Sequence, residues 1–303
     1  MAATLKNFET RFNKKYQYPY VFLNNEEFDT AFMNEMTRIV ERGSGAQVQF
    51  GKVPEEHWSY PEWIDQEKAA KARKAMGDKG IVYGGSESYR FMCRYFSGFF
   101  YRHPLLQQFD YYWRVEPGVE FSCNVNYDVF RFMASNRKKY GFVITMQEIP
   151  ETIPTLWKTI TEEFLPKGPR FMEGTSRPAI RYFGPPSPNG YNGCHFWSNF
   201  EIASFDFFRS PEYNQYFELL DRKGGFFYER WGDAPVHSIA AGLFLSTEEI
   251  HYFHDIGYRH YPFSHCPADF VFRRENNCAC DPFEPTEISH GSCQTMWNIH
   301  YAL

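Results

Sequence analysis

The chain has 303 residues, 43% of them hydrophobic and 20% aromatic, with 32 Phe and 21 Tyr. That length suits one large domain or two lobes sharing a core, and the net charge of -5 argues against a general nucleic-acid binder, which is usually basic. No apolar run of about 18 residues occurs, so no membrane-spanning helix is expected.

The opening MAATLKNFETRFNKKY lacks the apolar core of a signal peptide. It is already an amphipathic helix, with Leu5, Phe8 and Phe12 at near-helical spacing, so the sequence reads as the start of a piece whose upstream part is missing. Tyr18–Leu23 reads as a buried strand. A helix is expected from about Glu26 to Arg42, with Phe28, Phe32, Met36, Ile39 and Val40 on one side and Gly43 past its end. Val48–Val53 reads as a second strand. Pro61 suits the first turn of a helix that Gly77 closes. The basic stretch Lys68–Lys79 is a solvated helix face.

Ser86 or Ser88 can cap a helix carrying Phe91, Met92, Tyr95 and Phe96. Two apolar runs follow, Tyr111–Val115 and Val119–Val125, parted by Glu116, Pro117 and Gly118. Phe142–Gln147 reads as a strand leading into a helix from about Thr152 to Phe164. This alternation predicts an α/β fold with a largely parallel sheet. The span 167–190 is rich in Pro and Gly and reads as a surface excursion between apolar segments. Ser210 and Pro211 start a helix with Tyr213, Tyr216, Phe217 and Leu220 on one face, stopped by Gly224 and Gly225. Asp233 and Pro235 start the next, with Val236, Ile239, Ala240, Leu243 and Phe244 facing inward. No internal repeat is seen, and the elements form a single domain over 1–303.

There are seven cysteines, an odd number, and four crowd the last stretch (Cys266, Cys278, Cys280, Cys293). Their spacing is unlike paired zinc motifs, so disulfides pinning an irregular tail are expected, with at least one thiol left over. There is no Asn-x-Ser/Thr acceptor.

The segment Tyr191–His265 is the densest mixture of polar and aromatic groups. Cys194, His195, Asn199, Glu201, Asp206, Glu229, Asp233, His237, His254, Asp255 and His260 all lie among Trp, Tyr and Phe. Such groups are costly in apolar surroundings unless paired, hydrogen-bonded or bound to metal, which makes this the expected seat of chemistry. Glu116, at a turn between two runs, stands where ligands gather in α/β sheets, though it also serves as a plain turn residue. Asp233 suits a helix cap as well as a site. Asn124, Asn126 and Asp128 have the spacing of oxygen ligands, but the glycine and distal glutamate of an EF-hand are missing. A P-loop, a dinucleotide-binding glycine motif and a Gly-x-Ser-x-Gly elbow are all absent. The residue types leave a metal-dependent transferase as one candidate among several.

The runs RFNKKYQYPYVFLNNEEF, SESYRFMCRYFSGFF, YYWRVEPGVEF, YNGCHFWSNFEIASFDFFRS, GGFFYERWGDAPVHSIAAGLFL and IHYFHDIGYRH together resemble the fungal Golgi α-1,2-mannosyltransferase family, over nearly the whole chain. The resemblance implies a single-domain, Rossmann-like α/β glycosyltransferase of the GT-A type with a mixed central sheet. It implies transfer of mannose from GDP-mannose to the 2-hydroxyl of mannose-terminated acceptors in O- and N-linked mannan, with the α configuration retained. Matched motif by motif, Glu201 falls on the family's proposed nucleophile, Tyr89 on a tyrosine facing the reacting sugars, and Asp233 on a further catalytic acid. Glu116 and His260 fall on the positions proposed to hold Mn²⁺. A carboxylate oxygen and an imidazole nitrogen suit that ion, whose open positions accept a diphosphate. Glu201 could act as nucleophile by double displacement, stabilise positive charge on the sugar ring, or orient the acceptor. Residence in the Golgi lumen, through a membrane anchor and stem lying outside this chain, is implied too. Asn124 stands where many relatives carry aspartate. The competing reading is a catalytically weakened homologue that binds mannan or wall-assembly partners.

Overall fold

The computed structural model describes residues 1–166, 179–185, 187, 189–283 and 291–301. Much of the excursion expected over 167–190 therefore lies outside the described residues. Helix α1 (Ala2–Phe8) runs on through a π-helical turn at Glu9–Asn13 to Tyr16. It buries Leu5, Phe8 and Phe12, as their spacing requires. The wider turn brings Glu9 inward, where Oε1 accepts hydrogen bonds from Tyr20, Asn13 and Ser44.

Strands β1 (Tyr20–Asn24) and β2 (Val48–Lys52) pair in parallel across helix α2 (Thr30–Arg42). Both strands are half-buried rather than fully buried. Helix α2 starts later than its apolar spacing suggests because the Asp29 carboxylate caps it, accepting from the Phe32 amide at 2.7 Å. The same competition moves the next boundary. Asp65, not Pro61, caps α3 (Gln66–Asp78), Pro61 closes only a single turn with Ile64, and Gly77 lies inside the helix. Helix α4 (Glu87–Gly98) is capped by Ser86, whose Oγ accepts from the Tyr89 amide.

The remaining strands are β3 (Tyr111–Val115), β4 (Val119–Phe121), β5 (Tyr140–Phe142), β6 (Thr145–Gln147), β7 (Cys194–Phe196), β8 (Phe200–Ser204), β9 (Ile250–Tyr252), β10 (Tyr258–His260) and β11 (Phe263–His265). Helices α5 (Pro211–Lys223) and α6 (Asp233–Phe244) pack beside them, with Gly224 ending α5 in the left-handed conformation. The central sheet has the order β3-β8-β5-β9, flanked by a three-stranded sheet β11-β10-β4 and the pair β6-β7. It is a mixed α/β sheet: β3 and β5 run antiparallel to β8, while β5 and β9 are parallel.

The expectation of a largely parallel sheet is thus corrected. An apolar run reports burial on both faces but not the direction of its partner. The run 142–147 is not one strand: Phe142 ends β5 in the central sheet, and Thr145 begins β6 against β7. Likewise β3 and β4, joined by three residues, enter different sheets.

Disulfides join Cys123 to Cys278, Cys194 to Cys293 and Cys266 to Cys280, leaving Cys93 as a free buried thiol. The tail is pinned as expected, but it also contains helices at Phe270–Glu275 and Gln294–Tyr301. Among the described residues no helix is long and apolar enough to cross a membrane.

Candidate active site

Two neighbour relations, one in a sheet and one in a helix, build the centre of the site. Arg114 on β3 and Glu201 on β8 are directly opposite in the antiparallel ladder, so their side chains share a face. Asp233 and His237 are four residues apart at the start of α6, so theirs share a face too. Docking α6 on the sheet joins the pairs. An Arg114 guanidinium nitrogen lies 2.6 Å from Asp233 Oδ2, and His237 Nδ1 lies 2.8 Å from Glu201 Oε2. The four charges alternate around a buried ring, each beside two of opposite sign, which is the condition under which buried ions are tolerated.

Glu201 is 1% exposed, and both of its oxygens accept hydrogen bonds. Tyr112 donates to Oε1, and Tyr140 and His237 donate to Oε2. His237 Nε2 lies 2.8 Å from the Phe96 carbonyl oxygen. Both ring nitrogens therefore face acceptors and each needs a proton, so the pair reads as imidazolium and carboxylate. Burial opposes the His237 charge, but Glu201 and then Asp233 outweigh it and raise its pKa. Burial likewise opposes the Asp233 charge, yet Arg114, His237 and the Ser198 hydroxyl hold its carboxyl below the usual range. For Arg114, burial is overcome by Glu116, Asp233 and Glu201, and its charge is fixed. Its guanidinium sits 3.8 Å above the Phe96 ring centroid, a cation–π contact.

Arg114 also reaches outward, placing a nitrogen 2.5 Å from Glu116 Oε1. Glu116 follows β3 directly, and its side chain is 29% exposed. Three of the five expected site residues, Glu116, Asp233 and Glu201, are thus gathered around one arginine. His260 comes from β10, paired opposite Val119 of β4, which places it beside the turn that carries Glu116. A Cβ built on Gly118 in that turn would be 3.8 Å from His260 Nε2. The His260 ring stacks on Trp197 with centroids 5.4 Å apart, and its Nδ1 is 2.8 Å from the Asn199 amide, which in turn accepts from the Tyr258 hydroxyl. The turn Trp197–Ser198–Asn199 therefore serves both halves, with Ser198 on Asp233 and its neighbours on His260.

Tyr89 enters from α4, the helix that also supplies Phe96. Its ring stacks on Tyr83 with centroids 4.4 Å apart, and the Arg230 guanidinium carbon lies 5.3 Å from its centroid. Burial pushes the phenol well above its ordinary pKa, so Tyr89 stays a neutral hydroxyl. No hydrogen bond joins Tyr89 to the four-charge ring; it borders that group from the α4 side.

The sequence did not point to Arg114, and it marked His237 only as one of the polar residues of 191–265, with no role. An arginine inside the apolar strand YYWRV, two residues before Glu116, was the available signal. For His237 the signal was its place one helical turn after Asp233 in an otherwise apolar stretch. The oxygen-rich run after Cys123 serves structure instead: Asn124 accepts from Arg11, Asn126 donates to Asn276, and Asp128 caps the helix Val129–Ser135. Asp206 lies in the first turn of a short helix, Glu229 holds Thr155 and Trp231, and Asp255 accepts from Tyr127.

Two histidines, His237 fully buried and His251 half-buried, predict opposite limbs of a stability–pH curve. Folding raises the pKa of His237, so its contribution is complete below the ordinary value of 6.5 and is lost as pH rises through the folded value. His251 is packed between Phe132 and Phe253. Burial, then Lys138 and His254, lowers its pKa to about 4, so its contribution is present above 6.5 and is lost as pH falls toward 4. His195, also lowered by burial, adds to the acid limb. The thermal midpoint should therefore fall on both sides of a maximum near neutrality. In His251→Leu, scanning calorimetry should show a shallower drop between pH 6.5 and 4.5 with the alkaline limb retained; an unchanged acid limb would exclude this origin.

The family profile described as glycolipid 2-alpha-mannosyltransferase matches residues 1–301. The alpha-1,2 mannosyltransferase KTR1 of Saccharomyces cerevisiae is 52% identical over 301 residues, covering 99% of this chain and 75% of that protein. Core-mannan synthase A of Aspergillus fumigatus, solved in a Mn/GDP form, superposes with a TM-score of 0.89 at 40% identity, covering 100% of this chain and 81% of the other. The mannosyltransferase Ktr4p of S. cerevisiae in complex with GDP gives a TM-score of 0.92 at 39% identity, covering 100% and 78%.

Proposed function

The chain belongs to the glycolipid 2-alpha-mannosyltransferase family, and from that premise we propose that it is a retaining α-1,2-mannosyltransferase moving mannose from GDP-mannose to the 2-hydroxyl of a mannose-terminated glycan. The observation that carries the site is the register of β4 and β10, which sets His260 opposite Val119 and beside the Glu116 turn. Positions far apart in the sequence thereby come to neighbouring strands beside one turn.

Among the described residues no group of three or more His, Cys, Asp and Glu could hold a metal. The donors proposed for the ion are two residues, Glu116 and His260. One carboxylate and one imidazole fit Mn²⁺ when the donor diphosphate fills other positions. Ligation through Nε2 requires the proton on Nδ1. Asn199 would then present its oxygen to the ring and its nitrogen to Tyr258, a half-turn of the amide from the orientation seen here. When bound, the ion supplies neutralisation of the charge that builds on departing GDP. The protein's own residues do the rest: Arg114 sets the Glu116 carboxylate, Trp197 and Asn199 orient His260, and the neutral Tyr89 hydroxyl offers a hydrogen bond at the sugar. Because both Glu201 oxygens already accept hydrogen bonds, Oε1 from Tyr112 and Oε2 from Tyr140 and His237, the geometry supports Glu201 as an electrostatic anchor for Arg114 and His237. It favours a front-face route over attack by Glu201. Asp233 acts alongside it, fixing Arg114 from the helix side.

The three disulfides suit an oxidising compartment, consistent with a Golgi-lumen enzyme whose anchor would lie outside this chain. Loss of catalysis with retained mannan binding is not favoured, since the relatives are mannosyltransferases and Glu116, Asp233 and Glu201 lie around Arg114. The test is GDP release and transfer with GDP-mannose, α-methyl mannoside and Mn²⁺. Asn199→Ala should raise the Mn²⁺ concentration for half-maximal transfer by about 10–100-fold, the usual effect of removing a ligand's orienting partner. Metal-independent GDP release, or no transfer at all, would defeat the proposal.

A further inference from the structure

Stacked on Tyr89, Tyr83 departs from what its side chain and surroundings would choose. Its φ is +57°, a conformation that costs a bulky residue free energy and that glycine would adopt freely. Burial does not offset that cost, because Tyr83 is 59% exposed. The turn is nevertheless firmly built: Gly84 N–H donates to the Ile81 carbonyl at 2.7 Å, and Ser86 N–H donates to the Tyr83 carbonyl at 3.0 Å. A Cβ on Gly84 would meet Ile81 and Met76 at 2.9 Å, so that position is closed to larger residues. The strained turn aims one ring. Tyr83 lies flat against Tyr89, 4.4 Å between centroids and 9° between planes, while Arg230 stands over Tyr89.

From these contacts we infer that Tyr83 is the stacking platform for a hexose ring of the acceptor glycan at the entrance to the site, an inference that rests on the transferase reading above. An exposed aromatic face is the surface on which the C–H face of a pyranose settles. Backing by Tyr89 keeps that face in one orientation, and the left-handed backbone at residue 83 fixes where it stands. Tyr83 is thus a specificity-determining residue for the acceptor, with no part in binding the nucleotide.

The test compares wild type, Tyr83→Phe, Tyr83→Ala and Tyr83→Gly in transfer to α-methyl mannoside and to an α-1,2-linked mannobiose. Tyr83→Ala and Tyr83→Gly should raise acceptor KM about tenfold, the order expected for one aromatic contact, with the KM for GDP-mannose within about twofold and Tyr83→Phe close to wild type. Calorimetric GDP titration and a thermal melt confirm that the variants are folded. An unchanged acceptor KM in Tyr83→Ala, or a matching rise in the KM for GDP-mannose, overturns the inference. If wild type transfers nothing, the transferase reading has failed on its own. Saturation-transfer NMR with mannobiose then decides: signal lost in Tyr83→Ala supports the platform, and equal signal overturns it.

Discussion

Replacing Arg114 with methionine should be among the most damaging single changes in the chain. Methionine keeps most of the aliphatic volume above Phe96 but removes the charge that Asp233 and Glu116 contact at 2.6 and 2.5 Å. Asp233, 4% exposed, would be left with only the Ser198 hydroxyl and His237 nearby. Breaking a buried pair from one side typically costs about 3–5 kcal/mol, and equilibrium urea unfolding should show a loss in that range. Transfer should fall with it, because Glu116 loses the partner that sets its carboxylate. Arg114→Lys should recover only part, since an ammonium cannot serve two carboxylates with a planar fork. The double change Arg114→Met with Asp233→Asn should recover stability relative to the single variant, because it removes the stranded charge. A single variant unfolding within about 0.5 kcal/mol of wild type, the range of an ordinary surface change, would mean the ring contributes little to folding.

That ring also explains what could be read from the sequence and what could not. Helix faces were legible wherever spacing and caps agreed, as in α5, where Ser210, Pro211 and Gly224 bracket a face of Tyr213, Tyr216, Phe217 and Leu220. Starts set by an aspartate cap were misplaced: Asp29 and Asp65 open α2 and α3 downstream of the first residues that fit the pattern. Neither strand direction nor sheet membership was legible, because Phe142 and Thr145 lie in one buried run yet belong to different sheets, one paired in parallel and the other antiparallel. Residue types identified Glu116, Glu201, Asp233 and His260 as unusual. They could not reveal that Arg114 lies opposite Glu201, because that is a fact of β3–β8 register. Nor could they show that Ser198 and Asn199 divide between two clusters, since a turn residue's partners are fixed only when α6 and β10 dock.

The role of Glu201 follows from the same register, and Glu201→Gln tests it. As a carboxylate it accepts from Tyr112, Tyr140 and the protonated His237. A glutamine offers one acceptor oxygen and a donor nitrogen, so at least one of those donors would meet an N–H group, and His237 would lose its counterion. An unsatisfied buried donor costs about 1–3 kcal/mol, and more for a charged one, so denaturant unfolding should show a clear loss. His237 should become neutral near pH 7, visible in its ring-proton NMR titration. Transfer should drop because Arg114 loses one of its three carboxylate neighbours. A nucleophile would behave differently: stability and GDP affinity would be nearly unchanged while transfer vanished, and wild-type enzyme with a slow donor analogue would carry a mannosyl adduct on Glu201. The double variant Glu201→Gln with His237→Gln sharpens the contrast. It replaces the ion pair by two neutral amides that can bond to each other, so stability and some transfer should return. Recovery of transfer without a carboxylate at position 201 is possible for an anchor and impossible for a nucleophile.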